Sequence, residues 1–222
     1  MRRSELPPYI GAVANAGVLG CGVLVRTPGW MVDIPARGLV DGSYCRGERS
    51  AEAAEVLGLS ARPDWLVISS GGFEQSHSYK APDGHAVLPN SPELRAAVKA
   101  ALDQRIKRAN AQGTRVALLE FACPGRHRGE PDADEFTRSS IEWHNSNLRE
   151  IAATHPGTIT IPATDKVCVG GDAAGRPTSA KAKAWGTPDR VHVTDAGQGW
   201  VWRVQIGPAL QAQMAADARL AR

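Results

Sequence analysis

The sequence predicts an α/β protein, a three-layer α/β/α sandwich built on a parallel sheet. Three observations lead there. Short apolar runs of strand length alternate with helical segments of about 10 to 20 residues, the pattern of crossover-connected parallel strands. The run Pro63-Asp64-Trp65-Leu66-Val67-Ile68-Ser69 is apolar without alternation, as a strand covered on both faces would be. The runs end in Gly- and Ser-rich turns, where functional loops of such sheets emerge.

Taken in order, Ala12-Val13-Ala14-Asn15-Ala16-Gly17-Val18 reads as a short buried strand, followed by the turn Leu19-Gly20-Cys21-Gly22. Two glycines there let the backbone bend and present its N–H groups. A long connection rich in Gly, Pro and Arg runs to Ser50 and reads as a functional or irregular loop. Residues 51–58 offer an Ala/Glu/Leu helix, and the Trp65 strand closes in Ser69-Ser70-Gly71-Gly72. Ser91-Pro92-Glu93 opens a helix with a capping serine and a proline in its first turn. Leu94, Ala97, Val98, Ala101, Leu102 and Ile106 recur at helical spacing, and Gly113 ends the element. The strand Arg115 to Phe121 follows, stopped by Ala122-Cys123-Pro124-Gly125. A second helix is predicted from Ala133 to Thr154, with Phe136, Ile141, Trp143, Leu148 and Ile151 on its apolar face, and then a short strand, Thr158 to Ile161. The last helix turns Val201, Val204, Leu210 and Met214 inward, with Pro208 bending it.

Bulk properties narrow the function classes. The 222 residues suit one domain, 1–222, with a core that needs no staples. A formal charge of +3, spread along the chain, gives no electrostatic reason to expect nucleic acid or an anionic membrane as partner. No apolar run approaches the roughly 20 residues of a membrane span. The first residues, Met1 to Pro8, lack the apolar stretch of an export signal. Cys21, Cys45, Cys123 and Cys168 are widely spaced, without a Cys-x-x-Cys pair, and the histidines are dispersed, so neither a metal site nor a cofactor is expected. The cysteines are either two disulfides or four buried thiols.

The stretch Asp189-Arg190-Val191-His192 carries the clearest chemistry. A carboxylate three residues ahead of a histidine on a loop can hold one imidazole N–H and leave the other ring nitrogen free as a general base. The same four residues also suit an ordinary loop aspartate capping a turn. What favours the first reading is position. The loops carrying Gly20-Cys21-Gly22, Ser70-Gly71-Gly72-Phe73-Glu74, Cys123-Pro124 and His192 all fall on the carboxyl rim of the predicted sheet.

In that order the blocks resemble the SGNH (GDSL-like) hydrolase superfamily. They are most similar to the extracytoplasmic SGNH domain fused to bacterial membrane acyltransferases that O-acylate surface polysaccharides. The matching residues are Asn15 to Gly22 after a strand, a lone Cys45 before a helix, and the Trp65 strand ending in a Gly-aromatic-Glu turn. They continue with a helix holding Asn145 or Asn147, with Val167-Cys168, and with Asp189 and His192 followed by Val193-Thr194-Asp195-Ala196-Gly197. The resemblance covers nearly the whole chain and implies a flavodoxin-like parallel sheet. It implies His192 as base, Asp189 as its orienter, and the N–H of Gly20 or Gly22 as an oxyanion donor. At the turn where the broader family has an asparagine donor, this chain has Gly72-Phe73-Glu74; a carboxylate cannot donate, so Glu74 is expected to serve structure or substrate contact, and Gly72 a backbone donor. Expected partners are an acylated carbohydrate or small ester, and an upstream membrane acyltransferase module. The implied location is extracytoplasmic, which favours disulfides Cys21–Cys45 and Cys123–Cys168. The first would close a long loop and stabilise by roughly 3 kcal/mol.

One block departs from the family. No Gly-Asp-Ser occurs in the chain, so the family's nucleophile and its first strand are absent. Ser4 lies too near the Gly20-Cys21-Gly22 turn to leave room for a helix and a strand, and Ser69 and Ser70, though on the right rim, stand on no sharp nucleophile elbow. The expectation is a reading frame that begins inside the domain, and a chain inactive as written. The alternative is a non-catalytic SGNH-like domain that binds a glycan or protein partner. An unrelated flavodoxin-like domain is a third reading. Of the remaining histidines, His77 and His85 are read as lying in a solvated loop, His127 and His155 on the surface, and His144 on a helix face.

Overall fold

The computed structural model describes residues 6–13, 22–34, 38–43, 51–70, 74, 77–121, 138–164, 167 and 195–220. Two units form within the chain. The larger spans Ala14–Phe121 and Ser139–Thr160; the smaller combines Met1–Val13, Ala122–Arg138 and Ile161–Arg222.

Two sheets form, and all but the last residue of the second lie in the larger unit. In the first, β1 (Met31–Ile34), β2 (Gly38–Val40), β4 (Ser78–Lys80) and β5 (Ala86–Val87) pair in the order β2-β1-β4-β5. Its pairings are antiparallel, with Val32 opposite both Val40 and Tyr79. Two of these strands lie in the stretch expected to be an irregular loop, which is a correction. Strands of three and four residues are too short to show a period-2 pattern against the Gly, Pro and Arg around them.

The second sheet has the order β3-β6-β7, built from β3 (Trp65–Ser69), β6 (Arg115–Leu119) and β7 (Thr158–Ile161). β3 and β6 run parallel, from Trp65 opposite Arg115 to Ser69 opposite Leu119. The Arg115 guanidinium lies over the Trp65 ring at 4.1 Å, closing the amino end of the pair by a cation–π contact. The chain is thus a mixed α/β protein with a parallel sheet. β3 departs from expectation in its burial. Only Ile68 is enclosed, while Trp65, Leu66 and Val67 are half-buried. Among the described residues only β6 pairs with β3.

Helices α1 (Ala51–Ser60), α2 (Pro92–Ala111) and α3 (Arg138–Thr154) belong to this unit, except for the first residue of α3. α2 starts where the sequence requires. Ser91 is extended and its hydroxyl accepts the Leu94 N–H at 3.1 Å, with Pro92 in the first turn, where its missing N–H costs nothing. It ends in a Schellman motif. Gly113, at φ +79°, donates to Asn110 O, and Thr114 donates back to Ala109 O. The buried stripe Leu94, Val98, Ala101, Leu102, Ile106 and Ala109 packs into one core. That core also takes Ile68, Val116, Leu118, Leu148 and Ile151 from around the parallel sheet and Val32, Tyr79 and Val87 from the antiparallel one.

In the smaller unit, α4 (Asp195–Val201) and α5 (Gly207–Leu220) are joined by a π-helical turn, Trp202–Ile206. Proline 208 lacks the N–H that would reach back to Val204, and its ring crowds that carbonyl. The chain answers by widening the preceding turn, with the Gly207 N–H donating to Trp202 O. Gly207 is required there for space. A Cβ would meet Trp202 O at 2.8 Å, Pro7 Cγ at 2.9 Å and Tyr9 Oη at 2.9 Å. Gln205 is buried and donates to Pro162 O at 3.0 Å. Leu210 faces inward as expected, whereas Met214 is exposed.

Candidate functional site

Parallel strands place their carboxyl ends, and the loops that leave them, on one rim. Here Ser70 follows β3, and Glu120 and Phe121 follow β6. α3 runs beside them because Ile141, Leu148 and Ile151 fall at helical spacing and bury one face. His144 and Asn145 lie on that same face between the apolar residues, and Asn147 follows one turn after His144. All three are buried, His144 and Asn147 completely.

Asn145 has a defined task. Its Oδ1 accepts the Phe121 N–H at 2.9 Å and its Nδ2 donates to Phe121 O at 2.9 Å. One side chain thereby satisfies both polar groups of a backbone that has just left the sheet ladder. The residue before it, Glu120, is 4% exposed and receives a two-pronged bond from Arg149, Nε to Oε1 at 2.7 Å and Nη2 to Oε2 at 3.0 Å. Arg149 also donates to Glu142 Oε1 at 2.9 Å. The Glu120 carboxylate, followed by that of Glu142, holds the Arg149 guanidinium in its charged form more firmly than usual. The exit of β6 is thus pinned through its backbone by Asn145 and through Glu120 by Arg149.

His144 sits under the other exit. Burial pulls its pKa down to about 4; the Ser70 backbone carbonyl and the Glu120 charge favour the imidazolium but do not offset that cost. The ring is neutral at pH 7. Neither of its nitrogens makes a well-formed hydrogen bond among the described residues, and the same holds for the Ser70 hydroxyl and for both amide atoms of Asn147. A Ser–His catalytic pair is therefore not assembled here: the Ser70 hydroxyl is enclosed and unbonded, and so acidic an imidazolium belongs to a weak base. Ser69 is exposed at the strand end.

Of the residues expected to form the site, Glu74 is fully buried, and its Oε1 accepts the Leu24 N–H at 3.2 Å, tying it to the 23–26 turn just after Gly22. Gly22 itself is half-buried. Asp189, His192, Gly20, Gly72 and the cysteines Cys21, Cys45, Cys123 and Cys168 lie outside the described residues. The sequence reading missed His144, expected merely on a helix face, and the Glu120–Arg149 pair. The spacing 141, 144, 145, 148 and 151 carried the signal, because it puts a histidine and an asparagine inside an apolar stripe. Two other histidines also gain partners. His155 is largely buried and bonds Asp103 Oδ1 through Nε2 at 2.7 Å, so it joins α3 to α2 rather than facing solvent freely. His85 is exposed between Asp83 and Glu93, and these carboxylates raise its pKa, Asp83 most.

Comparison with known proteins adds little to this geometry. No family model matches the chain, and no curated protein does. A solved structure from Streptococcus pneumonia, provisionally described as a platelet activating factor, is similar over 67% of this chain and 64% of its own length. The identity is 20% and the TM-score 0.41. The match thus spans less than two thirds of that protein, and it assigns no activity to this one.

Proposed function

We propose that the chain is an SGNH-type ester hydrolase or O-acyltransferase domain acting on acylated cell-surface carbohydrate. The observation that supports it best is the pinned exit of β6, where Asn145 of α3 holds both backbone groups of Phe121. A helix asparagine in that place is one of the ordered blocks that resemble the superfamily. Fixed loop exits at the carboxyl ends of parallel strands are also what a preorganised site needs. The parallel pairing of β3 with β6 agrees with a finer reading, a flavodoxin-like three-layer sandwich.

In this proposal a serine upstream of Met1 attacks the ester carbonyl. His192 takes the serine proton while Asp189 holds the other ring nitrogen. Backbone N–H groups at Gly20 or Gly22 and near Gly72 receive the oxyanion. The alcohol leaves with the proton from His192, and the acyl group passes to water or to a sugar hydroxyl, which distinguishes hydrolase from transferase. Glu74, committed to the Leu24 N–H, supports the turn rather than the charge. The domain works outside the cytoplasm, with Cys21–Cys45 and Cys123–Cys168 as its disulfides and a membrane acyltransferase module upstream.

The absence of Gly-Asp-Ser from the chain favours a second reading, a non-catalytic SGNH-like domain that binds a glycan or protein partner. Hydrolysis of p-nitrophenyl acetate separates the two. A form extended upstream through an in-frame Gly-Asp-Ser should hydrolyse it, and His192→Ala should abolish that activity. An extended form as inactive as its His192→Ala variant supports the binder.

A further inference from the structure

The β4–β5 turn and the start of α2 are joined by a side-chain bridge that owes nothing to the ester reaction. His85 closes the turn: the Gly84 N–H donates to Ala81 O and the Ala81 N–H to His85 O, both at 2.9 Å. One oxygen of Asp83 accepts the His85 N–H at 3.2 Å and faces ring Nδ1 at 2.5 Å. On the other side of the ring, Nε2 bonds Glu93 in the first turn of α2. The connection spanned in this way is itself lightly held. Leu88 is exposed, Asn90 sits at φ +58°, and the Ser91 N–H reaches Leu88 O only at 3.4 Å.

The two contacts together fix the charge of the ring. An ionised carboxylate only accepts hydrogen bonds, and a neutral imidazole carries one N–H. Both contacts are hydrogen bonds only when both nitrogens are protonated, that is, in the imidazolium. On loss of that proton, one nitrogen turns a lone pair towards a carboxylate oxygen and that arm is repelled. Asp83 first, then Glu93, raise the pKa of His85 above the ordinary 6.5, and the ring in turn lowers that of Asp83. Asp83 acts from the ring's own turn and Glu93 from α2. Lys80 of β4 runs beside Gly84, and Arg95, the next charged residue of α2, is turned to Glu150.

We propose that Asp83, His85 and Glu93 form a pH-sensitive latch, closed in mildly acidic solution, that ties the β4–β5 turn to the first turn of α2. Below pH 6.5 the latch contributes in full, and its contribution is lost as pH rises through the raised pKa of His85.

The test follows the intact chain by 15N NMR of the imidazole from pH 5 to 9. It also follows hydrogen exchange of the Leu94 and Arg95 amides, which bond Ser91 Oγ and Ser91 O at the start of α2. His85 should titrate above 6.5, and Asp83→Asn and Glu93→Gln should each lower its midpoint. Exchange is corrected for the intrinsic rate at each pH and divided by that of the β6 amides, which report global opening. Protection at Leu94 and Arg95 should then fall about two- to fivefold between pH 5.5 and 8.5, the scale of an exposed ion pair, and stay level in His85→Gln. All three side chains are half exposed or nearly so, and far-UV circular dichroism shows that each variant is folded. A midpoint at or below 6.5, a midpoint that either substitution leaves in place, or the same pH dependence of exchange in His85→Gln overturns the proposal and leaves an ordinary surface contact. None of these readouts involves an ester, so they stand or fall apart from the acyl-transfer reading.

Discussion

Replacing His144 with leucine should flatten the acid limb of the stability curve. The folded-state pKa is about 4, lowered from 6.5 by burial. Above pH 6.5 the imidazole is neutral in both folded and unfolded chains and sets no pH dependence. As pH falls from 6.5 towards 4, the unfolded chain takes up the proton first, so the unfolded state binds more protons and folding stability drops. Below pH 4 both states are protonated and the full penalty is in place. A fall from 6.5 to about 4 corresponds to about 3 kcal/mol, a large part of the 5–15 kcal/mol that holds an ordinary domain together. Other groups titrate in the same range. His85, raised by its carboxylates, contributes with the opposite sign, and Asp83, Asp103 and Glu150 are lowered by their partners and lose stability on acidification. All of these remain in the variant, so the difference between the two proteins isolates His144. Urea unfolding of both at pH 7.5, 5.5 and 4 measures it. The wild type should lose about 3 kcal/mol more than His144→Leu across that range. A difference that stays constant with pH refutes the claim that a neutral, enclosed imidazole lies under the β3 exit.

Three further substitutions probe the frame around the site. Asn145→Ala removes both partners of the Phe121 backbone and should cost about 2–4 kcal/mol, read as a lower urea midpoint, with Asn145→Asp recovering only the acceptor half. Gly207→Ala forces a methyl group against Trp202 O, Pro7 and Tyr9, and should cost about 1–3 kcal/mol by thermal melting; an unchanged melting temperature contradicts the packing described for the π-helical turn. Ser91→Ala deletes the cap of α2 and should cost about 1 kcal/mol, with Ser91→Asp close to wild type in the same melts.

Local chemistry decides which parts of the fold are legible in the chain. α2 could be read almost to its ends, because Ser91, Pro92 and Gly113 each act on the backbone next to them. β3 and β6 are legible from their apolar runs, whereas which strands pair is encoded by no single run of residues. The antiparallel sheet was not found at all. Met31–Ile34 gains its strand character from pairing with Gly38–Val40 on one side and Ser78–Lys80 on the other, rather than from its own composition. Pro208 announced a distortion of the last helix but not its form, since proline permits either a kink or a widened turn. At the site, the role of Asn145 needed the fold to bring Phe121 beside it. His144 was visible as a polar residue in an apolar stripe, and its burial, hence its pKa, was not.

The central claim is that the domain performs serine-based acyl transfer with His192 as base. Mass spectrometry of the native polypeptide after treatment with a fluorophosphonate tests it most directly. Serine nucleophiles activated by a base form a stable adduct with that reagent. The account predicts one labelled serine, in a Gly-Asp-Ser block upstream of Met1, and its loss in His192→Ala. No adduct, or labelling equal in His192→Ala, contradicts it and favours the reading of a non-catalytic binding domain.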